Sequence, residues 1–292
     1  MDKVRLTDNK NVGDGEPPFI IAEIGNNHNG DIKNALELIK IAKNIGVDAV
    51  KFQVKHIESS FSKELLDSPY LGANSFGKTY REHKNYLEFS EEQLKIVYNY
   101  AQEIGIICFS TPFDVKSVEL LERINNPIYK ISSFHVIDHN LIERICKTNK
   151  PIIMSTGMST DEEVEEAMKI IRKHTDQIVL LHCVSCYPTD DEDVNLQVII
   201  TLKNKYNCPV GYSGHERGTT ISTSAVVLGA CMIERHFTLD RTMKGPDHAS
   251  SVEPSGMGLI VDKANRIYKA LGSPEKRILD CELKNRKKFR GY

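Results

Sequence analysis

Two histidines in the last third of the chain have the placement of a shared metal site. His215 follows the apolar run PVGYSG, and His236 lies in the next run, CMIERHFT. Neutral imidazoles at the ends of neighbouring strands can bind one divalent metal and leave positions open for substrate and water. Histidine alone does not select among Zn²⁺, Mn²⁺ and Fe²⁺, but an oxygen-rich substrate favours Mn²⁺ or Mg²⁺. We therefore predict that both histidines are metal ligands.

Two lysines interrupt apolar runs, Lys51 in AVKFQV and Lys130 in IYKISS. A charged group inside such a run costs several kcal/mol unless it is paired or binds a ligand. Lysines that converge with hydroxyl groups can hold a phosphate or a carboxylate. The hydroxyl groups available for such a cradle are those of Ser132, Ser155 and Ser213.

A structural alternative explains the same lysines without a ligand. They would form salt bridges with Glu23 and Glu234, which accounts for the charges but not for the hydroxyl groups. Glu234 has a second possible role, which is to orient a ligand histidine. His135, in KISSFHV, is either an active-site group or a core histidine with a satisfied hydrogen bond.

The elements that must position these side chains are eight short runs rich in Ile and Val. Runs that are apolar on both faces are typical of parallel strands buried on both sides. The segments between them have helical periodicity; one ends at Gly46 as a C-cap, and another begins at Ser159 or Thr160 as an N-cap. The runs are FIIAEIG (19–25), AVKFQV (49–54), IICFST (106–111), IYKISS (128–133), PIIMST (151–156), IVLLHCV (178–184), PVGYSG (209–214) and CMIERHFT (231–238).

Eight strands that alternate with helices predict a (β/α)8 TIM barrel, in which chemistry collects at the C-terminal ends of the strands. The rival is a doubly wound sheet, which normally has G-x-G-x-x-G after its first strand, where this chain has GNNHNGD. We predict an N-terminal extension over residues 1–18, the barrel over 19–275 and a basic tail over 276–292. A long loop over 55–89, after the second strand, is predicted to be functional and to cover the substrate.

Composition excludes several classes of function. The net charge of −2 gives no basic field for nucleic acid, and no run is long enough to span a bilayer. The polar N-terminus has no signal peptide, and seven irregularly spaced cysteines fit free thiols in the cytoplasm. Cys183 and Cys186 form a lone C-x-x-C, which without a second pair does not indicate zinc.

Ten stretches along the whole chain match, in order, the motifs of one enzyme family. They are AEIGNNHNGD (22–31), KFQ (51–53), GKTYREH (77–83), STPFD (110–114), YKISS (129–133), PIIMSTGMS (151–159), LLHCVSCYPT (180–189), GYSGHE (211–216), ERHFTLDRTMKGPDHASSVEP (234–254) and the closing NRKKFR. On these motifs the chain resembles the sialic acid synthases, which include legionaminate, pseudaminate and spore-coat relatives.

The resemblance implies a reaction and its substrates. Phosphoenolpyruvate would condense with an open-chain N-acetylhexosamine, such as N-acetylmannosamine, and release phosphate. The product would be a nonulosonic acid such as N-acetylneuraminate, with legionaminate or pseudaminate as alternatives. The family also implies a divalent metal, with Mn²⁺ typical and Mg²⁺ or Co²⁺ possible, and a possible homodimer.

The resemblance also assigns site residues. His215 and His236 would bind the metal. Phosphoenolpyruvate would be held by Lys51, Lys130, Ser133, Ser155 and Ser213, and the sugar by Glu23, Gln53, Tyr187 and Asp247.

The chain departs from the family pattern in three places. A catalytic glutamate of the family falls on His135, and an asparagine of the family is replaced by Ser185, which we still expect to contact substrate. The C-terminal antifreeze-like domain of most members is not seen in this sequence. An imidazole can still move a proton at neutral pH, so we expect His135 to be catalytic, while a ligand role and a non-catalytic role stay open.

Two other classes of function are compatible with the same residues. One is a Schiff-base pyruvate aldolase that uses Lys51 or Lys130 and needs no metal. The other is a catalytically weakened barrel that binds or scaffolds a partner, suggested by His135, Ser185 and the missing domain.

Overall fold

Eight parallel strands form a closed barrel, which confirms the predicted (β/α)8 fold. The structure, a computed structural model, describes residues 3–292. The last barrel strand pairs with the first, and each of the others pairs with its neighbours in chain order. The strands are β3 Phe19–Gly25, β4 Ala49–Val54, β5 Ile107–Pro112, β6 Tyr129–Ile131, β7 Ile152–Ser155, β8 Ile178–Cys183, β9 Val210–Gly214 and β10 Met232–His236.

A ring of helices surrounds the barrel, and each strand is followed by one of them. In α1, Asp31 is the N-cap, and Gly46 ends the helix in the left-handed region at φ 90°, as predicted for a C-cap. In α8 the N-cap is Thr160 rather than Ser159, because its hydroxyl and the Glu163 carboxylate form a capping box. The helices are α1 Ile32–Ile45, α5 Glu91–Glu103, α6 Val115–Arg123, α7 His139–Cys146, α8 Asp161–Arg172, α9 Val198–Tyr206, α10 Thr220–Val227 and α11 Pro254–Leu271.

An antiparallel hairpin closes the N-terminal end of the barrel. Its strands are β1 Val4–Thr7 and β2 Lys10–Val12. Val4, Leu6 and Val12 are fully buried against the apolar side chains that fill this end of the barrel. The predicted N-terminal extension therefore contains an ordered element that covers the core.

The segment 55–89 is structured, so the prediction of one long loop is wrong. It contains three short helices: α2 Ile57–Ser60, α3 Lys63–Asp67 and α4 Tyr80–Leu87. Two of them have a local start signal: the Ser62 hydroxyl accepts from the Leu65 amide at the start of α3, and Thr79 and Glu82 form the capping box of α4. We call residues 55–89 the insert.

The chain continues beyond the barrel into a last helix, α12 Asp280–Arg290, whose side chains are mostly exposed. Within residues 3–292, none of the helices combines the length and the apolar character needed to cross a bilayer.

Candidate active site

A cavity of about 580 Å³ opens at the C-terminal ends of the barrel strands. The position agrees with the rule that active sites of this fold lie at that face. All but one of the predicted site residues line it. They are Glu23, Lys51, Gln53, Lys130, Ser133, His135, Ser155, Tyr187, Ser213, His215, His236 and Asp247.

Strand register explains why residues far apart in sequence meet here. His236 of β10 lies beside Glu23 of β3, and Glu23 lies beside Lys51 of β4. On the other side, Glu234 of β10 lies beside Ser213 of β9. Parallel strands in this register bring their ends to one face, so the pairing of the strands places these groups together.

A buried group of charges forms the deepest part of the cavity; we call Glu23, Lys51, Lys130 and Glu234 the inner network. The Lys51 Nζ lies 2.6 Å from Glu23 Oε2 and 3.8 Å from Glu234 Oε1. The Lys130 Nζ lies 3.8 Å from the same oxygen of Glu234. The salt bridges of the structural alternative are therefore present, and the two carboxylates balance the charges of the two lysines.

The hydroxyl groups left unexplained by those salt bridges are also in place. The Lys130 ammonium donates a hydrogen bond of 2.6 Å to Ser155 Oγ, and the Lys51 ammonium donates one of 3.0 Å to Thr111 Oγ1. Ser213 donates to Glu234 Oε1 at 3.3 Å. The deep end therefore combines ammonium and hydroxyl donors, which is the chemistry of a site for phosphate or carboxylate.

The two lysines of the inner network titrate differently. Burial lowers the pKa of Lys51, but the carboxylates of Glu23 and Glu234 outweigh burial and raise it above its usual value. Burial dominates at Lys130 and lowers its pKa, with Glu234 only partly offsetting it. Burial disfavours the ionised Glu234, yet Lys130 and Lys51 hold its pKa below the usual range. An added anion would therefore gain most beside Lys130, whose charge is the less well balanced.

His215 and His236 lie side by side at the rim of the inner network, with ring centroids 5.6 Å apart. The His215 Nδ1 donates to the Val184 carbonyl at 2.9 Å, which leaves its Nε2 lone pair free. The His236 Nδ1 is buried and has no hydrogen-bond partner in the described residues. One free and one orphaned imidazole nitrogen, with Glu234 Oε2 also buried and without a hydrogen-bond partner, fit a divalent metal.

Residues 3–292 contain no cluster of three or more His, Cys, Asp or Glu side chains arranged around a metal position. The two histidines would therefore supply only part of a coordination shell. Substrate and water oxygens would have to complete it, as in catalytic sites that keep open positions.

His135 lies at the cavity wall, in the short 3-10 turn Ser133–His135 that follows β6. Its Nδ1 is 2.7 Å from Ser132 Oγ, and its ring meets Phe113 edge-on at 4.9 Å. Burial lowers its pKa below the ordinary value of histidine. The imidazole is therefore held in place and neutral at pH 7, and it can accept a proton.

The remaining predicted sugar contacts form one side of the cavity. Gln53 donates to Glu23 Oε1 at 2.8 Å, and Asp247 accepts from Asn26 at 3.0 Å. Burial opposes ionisation of Asp247, but His236 and the Asn26 hydrogen bond are among the groups that hold its pKa below the usual range. The Tyr187 ring lies 4.1 Å from the His215 ring, between centroids, and is half exposed.

Ser185 is the predicted site residue that does not line the cavity. Its hydroxyl lies against Gly157, where an added Cβ would come within 2.5 Å of it and 2.9 Å of Ser133 Oγ. The Gly157 amide donates to Ser133 at 3.0 Å. Ser185 thus lies beside Gly157 and close to Ser133, which does line the cavity.

Two further histidines near the barrel ends are part of the core rather than of the cavity lining. His182 is buried, and its Nε2 donates to the Val194 carbonyl at 2.6 Å, as expected for a core histidine. His28 is 3% exposed and stacks on Phe89 with ring centroids 4.0 Å apart. Burial, assisted by the charge of Lys55, lowers the pKa of His28 to about 3.

Sequence reasoning missed several residues that line the cavity. Lys55, Phe61, Tyr80 and Lys84 come from the insert. Lys55 follows Lys51 and Gln53 with the alternation of β4, which would have placed it at the mouth of the barrel. Lys84 gave no such signal, because a lysine on a polar helix resembles any exposed residue.

A second buried group of charges lies behind the histidines; we call Tyr212, Glu216, Ser222 and Arg235 the rear network. The Arg235 Nη1 lies 2.7 Å from Glu216 Oε1, and both side chains are at most 2% exposed. Ser222 and Tyr212 donate to the two oxygens of Glu216 at 2.5 Å and 2.8 Å. Glu216 follows His215 in sequence and Arg235 precedes His236, so this pair ties together the strand ends that carry both histidines.

Comparison with known proteins agrees with this geometry. A family model described as the NeuB family matches residues 38–276. The chain belongs to the NeuB family. Membership confirms the predicted class of enzyme, a metal-dependent synthase that uses phosphoenolpyruvate to form a carbon–carbon bond and makes a nonulosonic acid.

Relatives of this NeuB family member have several named products. It is 42% identical over 273 residues to the N-acetylneuraminate-9-phosphate synthase of Mus musculus, which covers 93% of this chain and 76% of the mouse protein. It is 40% identical over 271 residues to the N,N'-diacetyllegionaminic acid synthase of Campylobacter jejuni, which covers 91% of this chain and 81% of that protein.

Among solved structures, the chain is similar to the N-acetylneuraminic acid synthetase of Leptospira borgpetersenii serovar Hardjo-bovis. The TM-score is 0.86 at 34% identity, and the match covers 100% of this chain and 98% of the other. A spore-coat polysaccharide biosynthesis protein of Bacillus subtilis matches with a TM-score of 0.80 at 30% identity, over 98% of this chain and 81% of the other.

Proposed function

We propose that the protein condenses phosphoenolpyruvate with an open-chain N-acetylhexosamine, N-acetylmannosamine or a close relative, to a nonulosonic acid such as N-acetylneuraminate. The observation that carries the proposal is the inner network. It places two buried ammonium groups and their hydroxyl partners beside a pair of histidines with free nitrogens. Few ligands other than a small, highly charged phosphate ester would use all of these donors.

His215 and His236 are the proposed metal ligands, and Mn²⁺ is the proposed ion. Their free nitrogens face a site where substrate oxygens complete the shell, and oxygen donors favour a hard ion. A divalent metal bound there supplies Lewis-acid polarisation of the acceptor aldehyde.

Lys51 and Lys130 are proposed to bind phosphoenolpyruvate at the deep end, with Ser133, Ser155 and Ser213 as further donors. Their positive charges neutralise the phosphate and carboxylate groups in the ground state. They also stabilise the charge that develops on phosphate as the carbon–oxygen bond breaks. Glu23, Gln53, Tyr187 and Asp247, on the adjoining wall, are proposed to orient the sugar.

His135 is proposed as the base of the second half of the reaction. After the methylene carbon of phosphoenolpyruvate has bonded to the aldehyde carbon, water adds to the former enol carbon. His135 accepts a proton from that water, and the adduct collapses with loss of phosphate. The imidazole is neutral and oriented by Ser132, which suits it to this role.

The printed names of the relatives leave the acceptor open. The mouse relative is named for a 9-phosphate product and the Campylobacter relative for a diacetyllegionaminic acid. Because phosphoenolpyruvate contributes three carbons, a phosphate at carbon 9 of the product corresponds to carbon 6 of the acceptor. The seven cysteines are all free thiols, in line with the proposed cytoplasmic location. The partners proposed are small molecules, with a homodimer as the assembly.

Release of inorganic phosphate tests the proposed function. Purified protein is incubated with phosphoenolpyruvate, Mn²⁺ and a panel of N-acetylhexosamines, and the product is identified by mass. We expect phosphate release that needs an aldose and stops when the metal is chelated. No phosphate with any aldose, from folded protein shown to bind Mn²⁺, would overturn the proposal and favour the scaffold alternative.

The Schiff-base alternative has one observation in its favour, the lowered pKa of Lys130. Borohydride in the presence of pyruvate separates it from the synthase. A Schiff-base enzyme would gain covalent mass on a lysine and lose activity, whereas the proposed synthase would do neither.

A further inference from the structure

The outer part of the cavity is lined by the insert and has no role in the chemistry described above. Five of its side chains face the cavity, and we call them the outer subsite. They are Lys55, Ser60, Phe61, Tyr80 and Lys84. Two of the five are ammonium groups, although the pocket for phosphoenolpyruvate lies deeper.

Lys55 is satisfied by its neighbours. Its Nζ lies 3.3 Å from Glu88 Oε1, donates to Gln53 Oε1 at 2.9 Å, and lies 4.3 Å from the centroid of the Phe113 ring. Its role without a ligand is therefore accounted for. Ser60 is likewise satisfied, because its hydroxyl donates to Asp114 at 2.6 Å.

Lys84 is not satisfied in this way. Its ammonium makes no ion pair and no hydrogen bond within residues 3–292, and two aromatic rings lie near it. The Nζ lies 5.0 Å from the centroid of the Tyr80 ring and 6.0 Å from that of Phe61. Asp247 and Glu88 act on it only through space, and burial lowers its pKa despite them.

Tyr80 adds a second unused donor at the same place. Tyr80 and Lys84 are one helical turn apart on α4, so both point from one face of the helix into the cavity. Within the described chain the Tyr80 hydroxyl has no hydrogen-bond partner, and its ring is fixed by edge contacts with Phe61 and Tyr70. A partly buried ammonium and hydroxyl without partners are an arrangement that an anion would complete.

The position of this pair relative to the chemistry indicates which part of the substrate it meets. The reacting aldehyde has to lie beside the histidines and the inner network. Asp247 lines the same cavity, and it lies close enough to both His236 and Lys84 for their charges to act on its carboxylate. An extended six-carbon sugar that has its aldehyde at the histidines and passes Asp247 therefore brings its other end to Lys84. We propose that Lys84 and Tyr80 bind a phosphate on the terminal carbon of the acceptor, so that the preferred acceptor is a 6-phosphorylated N-acetylhexosamine. This inference rests on the proposed function.

The test compares kcat/KM for N-acetylmannosamine 6-phosphate with kcat/KM for N-acetylmannosamine, at saturating phosphoenolpyruvate and Mn²⁺. We expect the wild-type protein to prefer the phosphorylated sugar by at least tenfold, because hydrogen bonds between ionised groups are stronger than those between neutral groups. Lys84→Met should lower that ratio by at least tenfold, mainly through KM, and Lys84→Arg should restore much of it. Lys78→Met removes an exposed lysine of the same insert and should leave the ratio unchanged.

Two outcomes would overturn this inference. One is a wild-type ratio of about one or less, with good turnover of the unphosphorylated sugar. The other is an unchanged ratio in Lys84→Met, confirmed as folded by its thermal midpoint. Both leave the proposed function intact, whereas absence of phosphate release with either sugar contradicts the proposed function itself.

Discussion

The inner network and the rear network both contain oppositely charged side chains that are buried, but they differ in how completely their polar atoms are paired. In the rear network, both oxygens of Glu216 accept hydrogen bonds, and the Arg235 guanidinium donates to Glu216, Ser222 and two backbone carbonyls. Among the buried side-chain atoms of the rear network, Arg235 Nε alone has no hydrogen-bond partner within residues 3–292.

In the inner network, the Nζ atoms of both lysines lie 3.8 Å from Glu234 Oε1, and Glu234 Oε2 has no hydrogen-bond partner in the described part of the chain. The inner network also opens onto the cavity, whereas Glu216 and Arg235 are closed off from that cavity and border a separate cleft of about 150 Å³. We infer that one network stabilises the fold by itself, while the other is completed by ligands. Substitutions in the two networks should therefore have opposite signatures.

Lys130→Met should cause the largest loss of activity. Removing the less well balanced lysine takes away a phosphate ligand, and we expect kcat/KM to fall at least about 10³-fold. The free energy of unfolding should change by only about 1 kcal/mol, because Glu234 keeps Lys51 as a neighbour. Steady-state kinetics and urea unfolding measure both quantities. Lys150→Met, which replaces a lysine outside the cavity, is the control. If Lys130→Met loses as much stability as a variant of the rear network, the two networks do not differ in the way inferred.

Glu216→Ala should have the opposite signature. It leaves the Arg235 guanidinium buried without its carboxylate, which costs about 3–5 kcal/mol of unfolding free energy. The double variant Glu216→Leu with Arg235→Met removes both charges and should be more stable than the single variant. Chemical denaturation of both variants measures the two free energies of unfolding. If the double variant is no more stable, the network is not an isolated charge pair.

His135→Ala should lower kcat about 10²-fold, the usual contribution of a positioned acid–base group. Because His135 must be neutral to accept a proton, the rate should fall as the pH drops through its pKa, which burial places below the ordinary value. His135→Glu should retain much of the activity and move this acid limb to lower pH. Wild-type kcat in His135→Ala would show that the base is another group.

His28 differs from both networks because it is a titratable group that is buried in its neutral form. Its pKa of about 3 in the folded state lies below the unfolded value of about 6.5, so the unfolded chain binds the extra proton at pH 5. Stability should therefore fall by about 2 kcal/mol between pH 7 and pH 5. His28→Gln should remove most of this pH dependence, and His139→Gln, at an exposed position, should not. If the free energy of unfolding depends on pH in the same way in wild-type and His28→Gln protein, the pKa of His28 is not the cause.

The strands and their functional ends were predictable because both carry local signals. The apolar runs at 19–25 and 49–54 coincide with β3 and β4, and the other runs differ from the observed strands by at most two residues at either end. A charged residue in such a run has few places to point except the mouth of the barrel. This is why the positions of Lys51 and Lys130 at the mouth could be predicted from the apolar runs that contain them.

The parts that escaped prediction depend on contacts between distant segments. The hairpin of residues 4–12 looks polar in sequence, and its three buried aliphatic side chains become visible only against the barrel they cover. Lys84 and Tyr80 acquire meaning only when α4 packs over the cavity. Ser185, which was placed at the site by resemblance, lies beside Gly157 and close to Ser133, and its contact with substrate stays a prediction.

The hairpin at the N-terminal end of the barrel also has a kinetic consequence. Because the hairpin covers that end of the core, we expect both substrates and both products to pass through the opening at the C-terminal ends of the strands. The inner network lies below the outer subsite, so an acceptor bound first would block the route to the lysines. We therefore expect sequential binding, with phosphoenolpyruvate first and the sugar second, and inhibition by high sugar concentrations that phosphoenolpyruvate relieves.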